Sequence, residues 1–167
     1  GPLSGQVPEK PVQIMENGKK FLVDIVNGQK TGFYLDQRNN RRVIQKYTHD
    51  RSVLNCFSYT GAFTVYALEG AAEKVISIES SASANEMAQK NVDLNELRID
   101  NNEWISGDVF KELRLFRDKG ISFDLIIMDP PKFAPTASQV RSASRGYKDI
   151  NLLAFKLLNP GGILVTF

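Results

Sequence analysis

The chain has 167 residues, 42% hydrophobic and 24% charged, with a net charge of +2 at pH 7. That is one domain's worth of an ordinary globular protein; the apolar runs are far shorter than a membrane span and no signal peptide is visible, so no membrane partner is expected. One cysteine, Cys56, excludes an internal disulfide framework and fits a cytoplasmic protein, and one cysteine with one histidine cannot build a typical zinc site, so no metal is expected.

Residues 1–10 read as a cloning scar and flexible lead-in. The segment KFLVDIVNGQKTGFYL reads as two strands around a turn at Asn27-Gly28, which gives residues 11–37 as a β-hairpin extension. Residues 38–48 suit a helix with Arg38, Arg41, Arg42 and Lys46 on one face. Strands are expected at 52–57, 74–79, 102–106, 123–128 and 163–167. Helices are expected at 61–69, 82–96, 108–118 and 147–158, with a capping box over Ser83–Glu86 and a stop at Pro160-Gly161-Gly162. The strands are continuous apolar runs, so both of their faces are buried. Residues 38–167 therefore form an α/β domain with a mostly parallel sheet and helices on both faces, in the Rossmann-like manner.

In such sheets, ligands bind beyond the carboxyl ends of the strands, where strand order reverses. Three acids fall at or just after successive strand ends: Glu79, Asp108 and Asp129. Glu79 lies 18 residues past Gly61 and is placed to accept hydrogen bonds from a ribose diol. The turn Ser58-Tyr59-Thr60-Gly61 has one glycine and no GxGxxG, so it suits a nucleoside without a pyrophosphate, such as S-adenosylmethionine. In the run FDLIIMDPPKF, Pro130 and Pro131 stiffen the backbone after Asp129, and rigidity suits a group that must fix a planar base against a methyl donor. Two segments are basic without any acid. One holds Arg38, Arg41, Arg42 and Lys46; the other, after the Pro-Pro, holds Lys132, Arg141, Arg145 and Lys148. They suggest contacts to RNA phosphates, with Phe133 and Tyr147 available to stack on a base.

These motifs resemble one family. KTGFYLDQRNNR (30–41), VLNCFSYTGAFTVYA (53–67), DVFKELR (108–114), FDLIIMDPPKF (123–133) and RGYKDINLLAFKLLNPGGILVTF (145–167) are similar to bacterial large-subunit ribosomal RNA cytosine-5 methyltransferases with an N-terminal PUA domain. The resemblance implies a Rossmann-like methyltransferase fold, S-adenosylmethionine as cofactor and ribosomal RNA as substrate. It places Phe33, Gln37, Arg38, Ser58, Tyr59, Thr60 and Gly61 at the cofactor, Glu79 on its ribose and Asp108 on its adenine side. Asp129, Pro130, Pro131, Lys132 and Phe133 face the target base.

Three departures stand out. The family has Asp at the position of Glu79 and Gly-Gly-Ala where this chain reads Gly70-Ala71-Ala72, and it continues past the LVTF run with a Ser-Cys-Ser segment. C5 of cytosine becomes nucleophilic only after a thiolate adds to C6, and Cys56, inside an apolar strand, is a poor thiolate. The chain therefore reads as a fragment, truncated after its fifth core strand, with a cofactor half and no evident nucleophile. Its last strand is expected to be an exposed edge that promotes a homodimer. Two other readings stay open: transfer to a base nitrogen, which needs no thiol, and a non-catalytic domain that binds cofactor or RNA. A nicotinamide dehydrogenase is the weakest alternative.

Overall fold

The computed structural model describes residues 6–29, 31–97, 100, 102–134 and 140–167. Of the cloning-scar reading, residues 1–5 lie outside these; so do Lys30 of the expected hairpin and residues 135–139 of the second basic segment.

A two-stranded antiparallel hairpin opens the chain, β1 (Val12–Glu16) with β2 (Lys19–Val23). Its turn is Asn17-Gly18, both with positive φ (50° and 82°), as a tight two-residue hairpin requires. The expected turn at Asn27-Gly28 is not a hairpin. Asp24 accepts hydrogen bonds from the backbone N–H of Val26 (3.0 Å) and Asn27 (2.8 Å), which closes a turn, and the described residues between it and Leu35 form no second strand.

After a short 3-10 turn (Leu35–Gln37), α1 (Arg38–Gln45) leads to β3 (Ser52–Cys56). Strands and helices then alternate: α2 (Ala62–Glu69), β4 (Lys74–Glu79), α3 (Ala82–Leu94), β5 (Asn102–Ser106), α4 (Val109–Asp118), β6 (Phe123–Met128), α5 (Val140–Leu157) and β7 (Leu158–Thr166). The sheet order is β5-β4-β3-β6-β7 and every pairing is parallel. The order reverses between β3 and β6, and their adjacent carboxyl ends open the crevice expected to receive a ligand.

Both faces of the sheet are covered, which explains the continuous apolar runs. Leu54, Cys56, Ile76, Ile78, Ile126 and Met128 pack on α4 and α5, while Val53, Val75, Leu125 and Ile127 pack on α1 and α2. The hairpin docks outside this sheet, with Phe21 and Val23 against Val65, Tyr66 and Val92. Two asparagines fix it, Asn91 of α3 and Asn95 at its C-terminal cap: Asn91 accepts from Leu22 N (2.7 Å), and Asn95 bonds both N and O of Lys20.

Three boundaries differ from the sequence reading. The cap of α3 is Ser81, whose hydroxyl accepts from Ala84 N, so Ser83–Glu86 is not a capping box. α5 begins at Val140, two turns before the expected start, because Ala143 is buried and Gly146 lies close against Phe133. β7 begins at Leu158 rather than 163. Leu158 pairs with Phe123 and Ile163 with Leu125, so Asn159–Gly162 bulges out of a strand it does not end. Among the described residues no helix is long and apolar enough to cross a membrane.

Candidate nucleoside and base site

The β3–α2 turn is the most contorted backbone of the sheet's upper edge. Phe57, Tyr59 and Gly61 have φ of 59°, 48° and 75°. Only glycine adopts such values without cost, and non-glycine residues held there concentrate at functional sites. Gly61 is required twice over: a Cβ there would sit 2.7 Å from Ala88 Cβ on α3. Beneath the turn, Asn55 donates to Thr64 Oγ1 (2.9 Å), which bonds Ser77 Oγ (2.8 Å), and Asn91 donates to Thr60 O (2.9 Å). Ser58 is buried, and its hydroxyl has no hydrogen-bond partner among the described residues.

Glu79 faces this turn from the end of β4. Its Oε2 accepts from Tyr59 N (3.0 Å); its Oε1 accepts from Ser81 N (2.9 Å) and Ser80 Oγ (3.2 Å). One carboxylate thus braces two strand-end turns. Asn85 of α3 donates to Glu79 O (3.1 Å) and Ser106 Oγ (2.9 Å), which sets the spacing of the β4 and β5 ends. Asp108, just past β5, is exposed; it caps α4 by accepting from Lys111 N (3.0 Å).

On the other side of the switch, Asp129 follows β6. Gln37 donates to its Oδ2 (3.4 Å), and Asn40 donates to Gln37 Oε1 (2.7 Å), which turns the Gln37 amide toward the acid. The N-terminal end of α1 therefore reaches across to the Asp-Pro-Pro loop. Pro130 is half-buried, and Pro131 and Lys132 are exposed. The Phe133 ring lies among Tyr147, Phe110 and Phe57, at centroid distances of 4.5, 5.7 and 6.3 Å.

The structure brings Gln37, Ser58–Gly61, Glu79, Asp108 and Asp129 to one edge of the sheet. Four expected residues have other surroundings than the sequence reading gave them. The Phe33 side chain is 5% exposed, packed on Phe21 (5.0 Å) and under the Arg41 guanidinium (4.7 Å), so its ring belongs to the core. Arg41 is 2% exposed and grips Glu16 through Nε and Nη2, both at 2.8 Å, which removes it from the basic surface. The Phe133 and Tyr147 rings pack on each other instead of standing free to stack. Arg38 and Arg42 of α1 and Lys46 at its C-terminal cap are exposed at i, i+4 spacing, and Arg141, Arg145 and Lys148 are exposed on α5. Cys56 is fully buried in β3, and burial pushes its thiol well above the ordinary value. Sequence reasoning missed Asn85, Asn91 and the hydroxyl of Tyr147.

A sequence model described as S-adenosylmethionine-dependent methyltransferase matches residues 2–167. The ribosomal RNA large subunit methyltransferase I of Aeromonas salmonicida is 56% identical over 167 residues, and that of Cronobacter sakazakii 54%. Each alignment covers 100% of this chain and 42% of the relative, so the chain spans about two fifths of the length of these curated relatives. Among solved structures, SMU.776, described as a methyltransferase and complexed with SAH, superposes with a TM-score of 0.88 at 31% identity, over 98% of this chain and 43% of that one. A SAM-dependent methyltransferase from Agrobacterium tumefaciens shares the fold, with a TM-score of 0.84 at 23% identity over 96% of this chain and 53% of that one. The family match starts ahead of the hairpin and runs through the last strand, so every turn of the strand-end site lies within it, and the chain belongs to the S-adenosylmethionine-dependent methyltransferases.

Proposed function

We propose that this chain is the cofactor-holding and base-facing part of a cytoplasmic enzyme that methylates C5 of a cytosine in large-subunit ribosomal RNA. The observation that carries the reading is Glu79, a carboxylate at the end of β4 fixed by two backbone N–H groups, one of them in the β3–α2 turn that borders the strand-order switch. The ribosomal RNA substrate is suggested by the name of the relatives, and C5 by the resemblance of the motifs.

The residues fit S-adenosylmethionine. A carboxylate offers about four lone-pair sites. Backbone donors take two on Glu79, and the exposed Ser80 hydroxyl takes a third that it can release to a ribose diol. The Ser58 hydroxyl, buried and unpaired among the described residues, supplies a further polar group in the turn. When bound, the cofactor supplies a methyl group on an electrophilic sulfonium. Ser58, Tyr59, Thr60 and Gly61 would hold its amino-acid part, Glu79 its ribose and Asp108 its adenine side. Phe33 would contribute through its backbone, and Gln37 and Arg38 would border the site. Asp129, held by Gln37, would face the base, with Pro130, Pro131, Lys132 and Phe133 giving the loop its shape. Arg38, Arg42 and Lys46 on α1, with Arg141, Arg145 and Lys148 on α5, would hold RNA phosphates and set the register of the strand.

Transfer to C5 requires a thiolate, and buried Cys56 does not provide one. In this reading the thiolate comes from outside these 167 residues. The burial of Cys56 also favours one second reading, transfer to a base nitrogen, which needs no thiolate.

Calorimetric titration with S-adenosylhomocysteine tests the site. The parent chain should bind, and Glu79→Ala should weaken binding about 100-fold or more, equivalent to about 2.7 kcal/mol. Equal affinity in the two would refute the assignment. Transfer from labelled S-adenosylmethionine to deproteinised ribosomal RNA, by this chain and by one extended to the length of its relatives, identifies the acceptor. 5-Methylcytidine after digestion supports the first reading, and an N-methylated nucleoside the second.

A further inference from the structure

The two prolines that stiffen the Asp129 loop also strip it of backbone donors, so the first N–H groups after Asp129 belong to Lys132 and Phe133. Phe133 N donates to the hydroxyl of Tyr147 (3.2 Å), and that hydroxyl donates to Pro131 O (3.2 Å). A phenolic oxygen serves as donor and acceptor at once. One side-chain atom of α5 therefore closes the loop backbone across the residues that follow the acid. The ring supports the hydroxyl, packed at a 32° tilt against Phe133 with the ring centroids 4.5 Å apart. The helix beneath is anchored by Ile150, Leu153, Ala154 and Leu157, all buried against the sheet.

Resting on the reading that Asp129 faces the target base, we infer that Tyr147 is a positioning residue: its hydroxyl fixes the backbone shape of the Asp129–Phe133 loop and so the aim of the acid. Arg145 and Lys148, exposed on either side of Tyr147 in the same helix, give this clamp a second consequence. The surface proposed to take RNA phosphates and the atom that shapes the loop ride on one rigid element, so docking of RNA on α5 registers the strand against the loop. Misplacing a reacting group by a small distance is enough to slow transfer strongly.

Tyr147→Phe removes the hydroxyl and keeps the ring. Amide hydrogen exchange followed by NMR should show Phe133 N–H protected in the parent chain and exchanging at least 10-fold faster in the variant. The amides of Ile126 and Ile127 and the affinity for S-adenosylhomocysteine should change less than 2-fold. In the protein extended to the length of its relatives, to which the proposed reading assigns the thiolate, Tyr147→Phe should lower methyl transfer to ribosomal RNA about 10-fold in kcat, equivalent to about 1.4 kcal/mol, with KM for S-adenosylmethionine within 2-fold of the unsubstituted extended protein. Equal protection of Phe133 in both proteins overturns the inference. So does a loss of protection that spreads into β6, which would make Tyr147 a general stabiliser, and so does an unchanged kcat. An extended protein that binds the cofactor product yet transfers no methyl group counts against the proposed function, and the exchange data then decide the clamp on their own.

Discussion

Arg41 separates a residue that touches RNA from one that holds the fold together. It lies in the basic segment of α1, yet its side chain is 2% exposed and that of Glu16 is 4% exposed. The pair is bidentate, both bonds at 2.8 Å; Arg41 Nη2 also donates to Tyr34 O (2.9 Å), and the Tyr66 hydroxyl donates to Glu16 Oε1 (2.9 Å). Arg41→Ala leaves Glu16 buried and uncompensated. Breaking a buried pair from one side costs about 3–5 kcal/mol, a large part of the roughly 5–15 kcal/mol that holds a domain folded. At about 2–4 °C per kcal/mol for a chain of this size, a loss of about 4 kcal/mol lowers Tm by roughly 8–16 °C. The double change Arg41→Met with Glu16→Leu should recover most of it, since an apolar replacement removes both charges. Thermal melts and urea titrations measure the stability, and filter binding of ribosomal RNA at two salt concentrations measures the contact. Arg42→Ala, on the exposed face, should show the opposite pattern: Tm within about 1 °C of the parent and a shallower salt dependence of RNA binding. A Tm shift below about 2 °C for Arg41→Ala, together with weakened RNA binding, would refute the assignment of Arg41 to the interior.

Asp124 predicts a pH dependence. Hydrogen bonds from the Ser52 hydroxyl, the Asn159 amide and Ser52 N hold its carboxyl below the usual range. A group depressed in the folded state stabilises fully above its unfolded value, about 3.9, and loses that contribution as pH falls through the lower folded value. Asp124→Asn should therefore be less stable than the parent in urea at neutral pH, with the gap closing in strong acid; a gap that widens in acid contradicts the sign. Cys56 should resist a thiol reagent in the native state and react only on unfolding, while Cys56→Ala keeps its affinity for S-adenosylhomocysteine within about 3-fold, because burial raises the thiol and no binding group is lost. Fast native labelling would contradict this. β7 is an edge strand with Phe167 41% exposed beside it, so light scattering should show concentration-dependent self-association that Thr166→Lys suppresses; a monomer at every concentration sinks that expectation.

What the sequence disclosed and what it hid follow from where each cause lies. β4, β5 and β6 fall on the residues expected, because each is a run of five or six residues with β-branched or aromatic side chains between polar or glycine- and proline-bearing breakers, a signal that is local. Glu79 and Asp129 were legible as strand ends for the same reason. The hairpin was misplaced because the chain has two Asn-Gly pairs. Local chemistry marks a turn at each, and only the packing of Phe21 and Val23 on α2 and α3 chooses the first for the hairpin. Arg41 was misread because its partner, Glu16, stands 25 positions away; the one local hint is that Arg41 falls one helical turn before buried Ile44. The asparagines that dock the hairpin reach 69 and 75 positions, beyond any window in which periodicity is visible. Tyr147 differs from these, because part of its role follows from a local feature. Pro130 and Pro131 offer no N–H, so the partners of the Pro131 carbonyl and the Phe133 amide come from outside the loop, from water or from a group on another element able to donate and accept. The fold supplies it at a position 14 residues downstream of Phe133, on a helix whose beginning the sequence placed two turns too late.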